Sequence, residues 1–592
     1  MVLSWRDAEI ERIVLDDISI DEPWALLERF SQLVRLSGSA EEQEAVNYIT
    51  GKLSSWGVPY LVHKPTCLIS IPGPATLRTV GTDSQSFTVK TSSFSPSTNG
   101  EELTAEIVYV PGSQASGIND LFGAGRTVSH GDLRGKIVMT EGLGIAARGI
   151  DLAGSGAVGA VFINPGQRIH EGITTTSWGS PDLESIGRTP PVPVFGINKP
   201  DGEALKAMLA NGPVTVAVSN RVDTSWRQIP VIVAEIAGNQ AADEFVLFHG
   251  HLDSWHVGIG DNATGDATLL EMARVFHKHR DHLARTIRIA WWSGHSHGRY
   301  AGSTWYADSF AQDITANCVA HVNCDSPGCR WATEYRDVFF MPEAKAIVQA
   351  TVKDVTGQVA SGGRPLRAGD CSFNNLGIST FFMLSSTMPI ELAKEKGYYA
   401  VGGCGGNIAW HTEDDTMEIA DADNLLRDMR VYAVALLRAL NSPIVPLDYR
   451  ATVQDIERDL MRYQEAAGSA FDFSPSLQAC ADLANTLGRF YHEADSMMDH
   501  SVEDPSVRQI NASQRLLARS LVTVGYSRDG RFRQDPARSI PAIPDLAPAI
   551  ELGNVPAGSD RYHVLRTHLT RGQNRLVWSL RQAQRRIAER IQ

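Results

Sequence analysis

Four residues of this chain have the types and spacing of a divalent-metal centre. His251 and Asp261 lie ten positions apart in FVLFHGHLDSWHVGIGDNATGDATLL, Asp325 lies in HVNCDSPG, and His411 lies in AWHTEDDT. Two imidazoles and two carboxylates form a hard-to-borderline donor set suited to zinc or a similar divalent ion, and one carboxylate can bridge two ions. Paired metals lower the pKa of a shared water and polarise a carbonyl, which is the chemistry of hydrolysis. Asp253, two residues after His251, stands where a carboxylate could orient that imidazole. A solvated turn with incidental acids explains a lone His-x-Asp as well; the second acid, at the mouth of the next helix, favours a metal.

These residues need elements to deliver them. Phe245 to Phe248 reads as a short buried strand, and the loop beyond it carries Gly258, Gly260 and Gly265, where backbone and ligand can approach closely. From VIVAEIAG onward strand and helix patterns alternate: TLLEMARVFHKH on the helical period, TIRIAWWSG a strand, STWYADSFAQDI a helix, CVAHVNCDSPG a strand ending in an acid. The alternation predicts an α/β fold, a mostly parallel mixed sheet flanked by helices, with polar side chains delivered at the sheet's carboxyl edge. Ahead of it, SGSAEEQEAVNYITGKLSSWG predicts a capped helix stopped at Gly57. Between about residues 60 and 233 the chain is rich in Gly, Pro, Ser and Thr with short strands such as AEIVYV and GKIVMTEG. Beyond about residue 450 only helical patterns remain, ending in the basic TRGQNRLVWSLRQAQRRIAERIQ. The expected units are 1–64, N-terminal helices of the catalytic domain; 65–232, a β-rich insertion; 233–447, the metal-binding domain; and 448–592, a helical domain.

A chain of 592 residues exceeds a single hydrophobic core. The net charge of −14, with no Lys/Arg-rich run, argues against nucleic acid as the main partner. No stretch reaches 18 uninterrupted apolar residues and MVLSWRDAEIERIV lacks an apolar core, so a cytoplasmic protein with no membrane partner is expected. Seven scattered cysteines fit reduced thiols. Cys324, Cys371 and Cys404 fall near the candidate ligands and could supply a soft donor or be inert. Trp255, Trp291, Trp292 and Trp410 could wall a pocket or fill the core, and Arg299, Arg364 and Arg367 could meet a substrate carboxylate.

The segments HLDSW, DNATG, WWSG followed by GRYAGS, NCD, GDCSFNNLGI and WHTEDDT, in that order, resemble the M28 family of zinc-dependent exopeptidases. The likeness is to the branch containing glutamate carboxypeptidase, the transferrin receptor and related aminopeptidases. The resemblance implies that the insertion is a protease-associated domain and that the helical tail is a dimerisation domain, giving a homodimer. It implies His251 and Asp325 as ligands of one zinc, His411 as a ligand of another, Asp261 as the bridge, and Asp253 in support. Family peptidases carry two consecutive glutamates, a general base and a ligand of the second zinc, where this chain has His295 and Ser296.

Three readings of that substitution stand. In the first, His295 acts as ligand or general base, with His297 nearby, in a metal-dependent hydrolase that cleaves an amide or peptide bond of a small substrate with one or two zinc ions. In the second the chain is a non-catalytic, receptor-like relative. In the third the same scaffold runs a different metal-assisted reaction, such as that of a lyase.

Overall fold

The computed structural model describes residues 5–112, 114–122, 133–145 and 148–591. At its centre is a five-stranded sheet, in spatial order Tyr60–His63, Val231–Ile236, Arg285–Trp292, Ala241–His251 and Cys318–Asn323. The last three strands are parallel and the first two antiparallel to their neighbours, so the sheet is mixed, with its parallel half beneath the candidate ligands. Phe245 to Phe248 are buried because both faces are covered, as the continuous apolar run requires.

One face is covered by the helix Thr264–Lys278, whose Leu269, Leu270, Ala273 and Phe276 fall on one stripe and belong to the main core. This helix packs against Asp21–Phe30, Ala40–Trp56 and Ala422–Asn441. Ala40–Trp56 begins at Ser39, whose hydroxyl accepts the Glu42 N–H, and ends at Gly57 in the left-handed conformation. A further helix, Ala8–Asp17, was not anticipated from the sequence. The opposite face carries Ala301–Ser309 and Ala311–Asn317, two helices broken at Phe310 where a single one was expected. Side chains alternate across a strand, so Trp291 joins the first core and Trp292 the second, beside Phe245, Tyr306 and Phe373. Both tryptophans are therefore core rather than pocket wall.

The chain leaves the central sheet at His63 and returns at Val231. Between these points the long antiparallel strands Thr66–Thr79 and Val214–Gln228 lead into and out of a separate eight-stranded sheet. After Ala422–Asn441 come the helices Tyr449–Ala467, Ser474–Asp495, Pro505–Tyr526 and Asp560–Ile591. Arg519, on the third of these, ties the tail to the sheet by donating to the carbonyls of Thr315, Cys318 and Gly377 at 2.9, 2.6 and 3.0 Å. Among the described residues no helix is long and apolar enough to cross a membrane.

The site depends on how closely two strands meet at their carboxyl ends. A methyl group at Gly250 would lie 2.5 Å from the Cys324 carbonyl oxygen. Gly250→Ala is therefore expected to destabilise the fold by ~1–3 kcal/mol through overpacking. Thermal unfolding should show a lowered midpoint; an unchanged midpoint would contradict the close approach.

Candidate metal centre

The parallel strands Ala241–His251, Arg285–Trp292 and Cys318–Asn323 end at one edge, with His251 paired to Trp292 and His249 to Asn323. His251 closes its strand, and His295 and Asp325 follow theirs by a few residues, so all three arrive together. Each offers a ligand atom within 4.8 Å of the other two. The His251 and His295 rings stack at 3.7 Å with 14° between their planes. Asp261 sits in the turn Ile259–Ala263, held by Asp415, whose carboxylate accepts the Gly260 and Asp261 N–H groups at 2.7 and 3.0 Å. From there Asp261 spans two imidazoles, with Oδ1 2.9 Å from His251 Nε2 and Oδ2 3.1 Å from His411 Nε2. Asp325 Oδ2 stands 4.0 Å from His251 Nε2.

The three imidazoles are each fixed from behind through Nδ1. His251 Nδ1 is 2.8 Å from the Asp253 carbonyl, His411 Nδ1 is 2.9 Å from the Glu171 carbonyl, and His295 Nδ1 is 2.6 Å from Asp370 Oδ2. An acceptor at Nδ1 places the proton there and leaves Nε2 with a free lone pair, the tautomer a metal ligand needs. His251 Nε2 is buried and makes no well-directed hydrogen bond despite its two acidic neighbours. That nitrogen and the His-His-Asp donor set fit a divalent ion of the zinc type.

Asp253 does not orient His251 with its carboxylate, which lies 4.0 Å from Nδ1; its backbone carbonyl does so instead. The carboxylate turns beneath the next strand's loop, where it accepts the N–H groups of His295 and Ser296 at 3.0 and 2.9 Å and the Ser37 hydroxyl at 2.7 Å. Burial opposes its charge, but His297 and the neighbouring imidazoles outweigh that and lower its pKa. Asp253 thus holds the His295–Ser296 turn rather than a reacting group. His297 is drawn away from the centre, with Nδ1 3.0 Å from Ser37 Oγ and its ring against Trp255.

Three supporting acids escaped the sequence reading. Asp370 lies within GDCSFNNLGI, but no spacing ties that segment to His295; its other oxygen accepts the Ser303 hydroxyl at 2.6 Å. Glu171 comes from the insertion, 240 residues before His411. Asp415 lies in the quoted WHTEDDT, where neighbouring acids gave no sign of which one turns inward.

The remaining candidates divide. Trp410 stacks on His411 at 3.7 Å and Trp255 lies 5.9 Å from it, so these two flank the centre. Cys324, Cys371 and Cys404 are buried, and burial raises their thiol pKa values, to about 12 for Cys371, which leaves them poor donors. Arg364 donates to the Gly525 carbonyl, and Arg367 lies over Trp178 while donating to Gln534 and the Asp535 carbonyl. Arg299 is buried. A cleft of about 390 Å³ opens beside Asp325 and Ser326, walled by Leu384, Ser385, Tyr398 and Val401.

Burial raises the Asp325 carboxyl to about 6, with the Asp261 charge adding to the rise, and burial likewise carries Asp415 to about 7. Burial disfavours a charged His251, yet the Asp261 carboxylate 2.9 Å from Nε2, with Asp325 behind it, prevails and holds its pKa well above the ordinary value. Asp261 is held well below its ordinary range because the His251 and His411 imidazoles, 2.9 and 3.1 Å away, outweigh its burial. Without an ion, the centre at neutral pH therefore keeps a proton on His251, which an ion must displace. Lower pH favours the protonated form, so metal affinity is expected to rise with pH, by up to about tenfold per pH unit for each proton released. Competition with a chelator of known affinity between about pH 6 and about pH 8 measures this; a flat profile would contradict it.

The fold is one shared with solved aminopeptidases. The aminopeptidase from Aneurinibacillus sp. strain AM-1 matches with a TM-score of 0.53 at 21% identity, over 72% of this chain and 96% of that one. BSAP, a zinc aminopeptidase from Bacillus subtilis, matches with a TM-score of 0.52 at 18% identity, over 72% and 95%. Residues 231–436 match the model of Peptidase family M28. Among curated relatives, leucine aminopeptidase 2 of Arthroderma otae is 25% identical over 50% of this chain and 54% of its own length. The probable glutamate carboxypeptidase VP8 of Zea mays is 24% identical over 43% of this chain and 36% of its own length. The chain thus spans about half the length, or less, of these curated relatives.

Proposed function

We propose that this protein is a metal-dependent hydrolase that cleaves an amide or peptide bond of a small substrate. The observation that carries this reading is the convergence of His251, His295 and Asp325 at one sheet edge, each with a ligand atom within 4.8 Å of the others. The family match and the aminopeptidase and carboxypeptidase relatives support hydrolysis, and the donor set supports zinc. A zinc ion bound there polarises a carbonyl and lowers the pKa of water.

The protein's own groups divide the work. His251, His295 and Asp325 would hold a first ion, with Asp370 keeping the His295 ring in place. Asp261 and His411, 3.1 Å apart, would supply the protein donors of a second position. That position would have two strong protein donors, where the first would have three in addition to Asp261. The second ion is therefore held more weakly. The cleft beside Asp325 receives the substrate. Elemental analysis after exhaustive dialysis tests this: one firmly held zinc or similar ion per chain is expected, and a protein that retains no transition metal and takes none up would contradict it.

A further inference from the structure

His411 has φ of 58°, a left-handed conformation that is uncommon for a residue other than glycine. Its surroundings come from the β-rich insertion. The segment from Arg168 to Glu171 runs alongside Trp410 to Asp414, and Arg168, His170 and Glu171 each bond to it. Glu171 N–H donates to the His411 carbonyl at 2.8 Å, and His411 Nδ1 lies 2.9 Å from the Glu171 carbonyl, a reciprocal pair that fixes both the backbone and the ring of His411. His170 Nδ1 is 2.6 Å from the Trp410 carbonyl. Arg168 forks onto Asp414 at 2.8 and 2.9 Å and reaches Glu413 at 3.1 Å. Lys90, on the insertion's strand Val89–Thr91, bridges Glu171 and Glu413 at 2.9 and 3.0 Å, and His256 meets Glu171 at 3.2 Å.

We propose that the insertion is a working part of the metal centre, in which Glu171, braced by Lys90, Arg168 and His170, is the positioning residue of His411. It rests on the reading of His411 as a metal ligand. The consequence is a coupling that runs both ways. Docking of the insertion presets the His411 ring for an ion, and an ion on His411 in turn tightens the docking, because linkage between two equilibria is reciprocal. The bracing side chains are not among the proposed ligands, and the hydrogen bonds and ion pairs they make fix the Glu171 and His411 backbones. Loss of a group that orients a metal ligand commonly costs about 10–100-fold in affinity.

The test uses the full chain stripped of metal and titrated with cobalt(II), followed by visible absorption. The wild-type protein is expected to show a tight and a weak phase. In the triple variant Lys90→Met, Arg168→Met, His170→Phe, the weak phase is expected to shift by about tenfold or more while the tight phase keeps its midpoint and spectrum. A general loss of structure would move both phases, and Lys90→Arg, which keeps the bridging charge, should leave both in place. Should the triple variant fail to fold, hydrogen exchange on the wild-type protein decides: cobalt is expected to slow exchange in residues 164–174, and unchanged exchange overturns the coupling. A weak phase unmoved within twofold in a folded triple variant overturns the proposal while leaving the reading of His411 intact. A wild-type protein that takes up no second ion overturns both.

Discussion

His295→Ala is expected to weaken metal binding at the His251–Asp325 position by about 100-fold or more and to remove turnover, with the fold intact. The size of the effect follows from what the ring does. Its stacking on His251 at 3.7 Å and its Nδ1 contact with Asp370 at 2.6 Å leave Nε2 as the one atom free to meet an ion. Removing it takes away one of the two imidazole nitrogens and leaves three donors, His251, Asp325 and the bridge, so the ion loses its fourth protein ligand. Asp370→Asn should do less, about 10–100-fold, since it disturbs the ring's orientation and proton but keeps the ligand. Metal affinity and melting temperature measured together on both variants separate these effects. If His295→Ala binds metal as the wild type does, His295 is a bystander.

The second large effect belongs to Asp261. Its carboxylate is the one group that touches both outer imidazoles, with contacts of 2.9 and 3.1 Å. Asp261→Asn keeps the shape and the backbone contacts with Asp415, but removes the charge and turns an amide nitrogen toward one imidazole. Turnover is expected to fall by on the order of 10³-fold, the scale seen when one preorganised electrostatic group is removed from a catalytic site. The weak position should lose its ion altogether, because His411 alone would remain there. Activity within about tenfold of wild type would show that the bridge is not used.

Much of the centre was legible in the sequence because its members obey local rules. A buried strand must end at a sheet edge, so His251, His295 and Asp325, each at or just past such an end, had to arrive near one another. Ser39 and Gly57 bounded their helix for equally local reasons. What stayed hidden was set by the tertiary fold. Asp253 has the spacing of a partner for His251, yet its carboxylate lies under the next loop because two N–H groups there need an acceptor. Asp370 and Glu171 reach His295 and His411 across 75 and 240 residues, and no periodicity links such positions. Trp291 and Trp292 could not be divided between core and pocket until both faces of their strand were seen to be covered.

On the proposed function, hydrolysis of an amide bond depends on metal held at this sheet edge. The most direct measurement strips the protein with a chelator, restores zinc or cobalt(II) in steps, and follows hydrolysis of a panel of aminoacyl amides and short peptides. Hydrolysis is expected to vanish on stripping and to return with the first equivalent of metal in the wild-type protein but not in His295→Ala. Hydrolysis that survives stripping, or metal-restored activity that is the same in both proteins, would contradict the account.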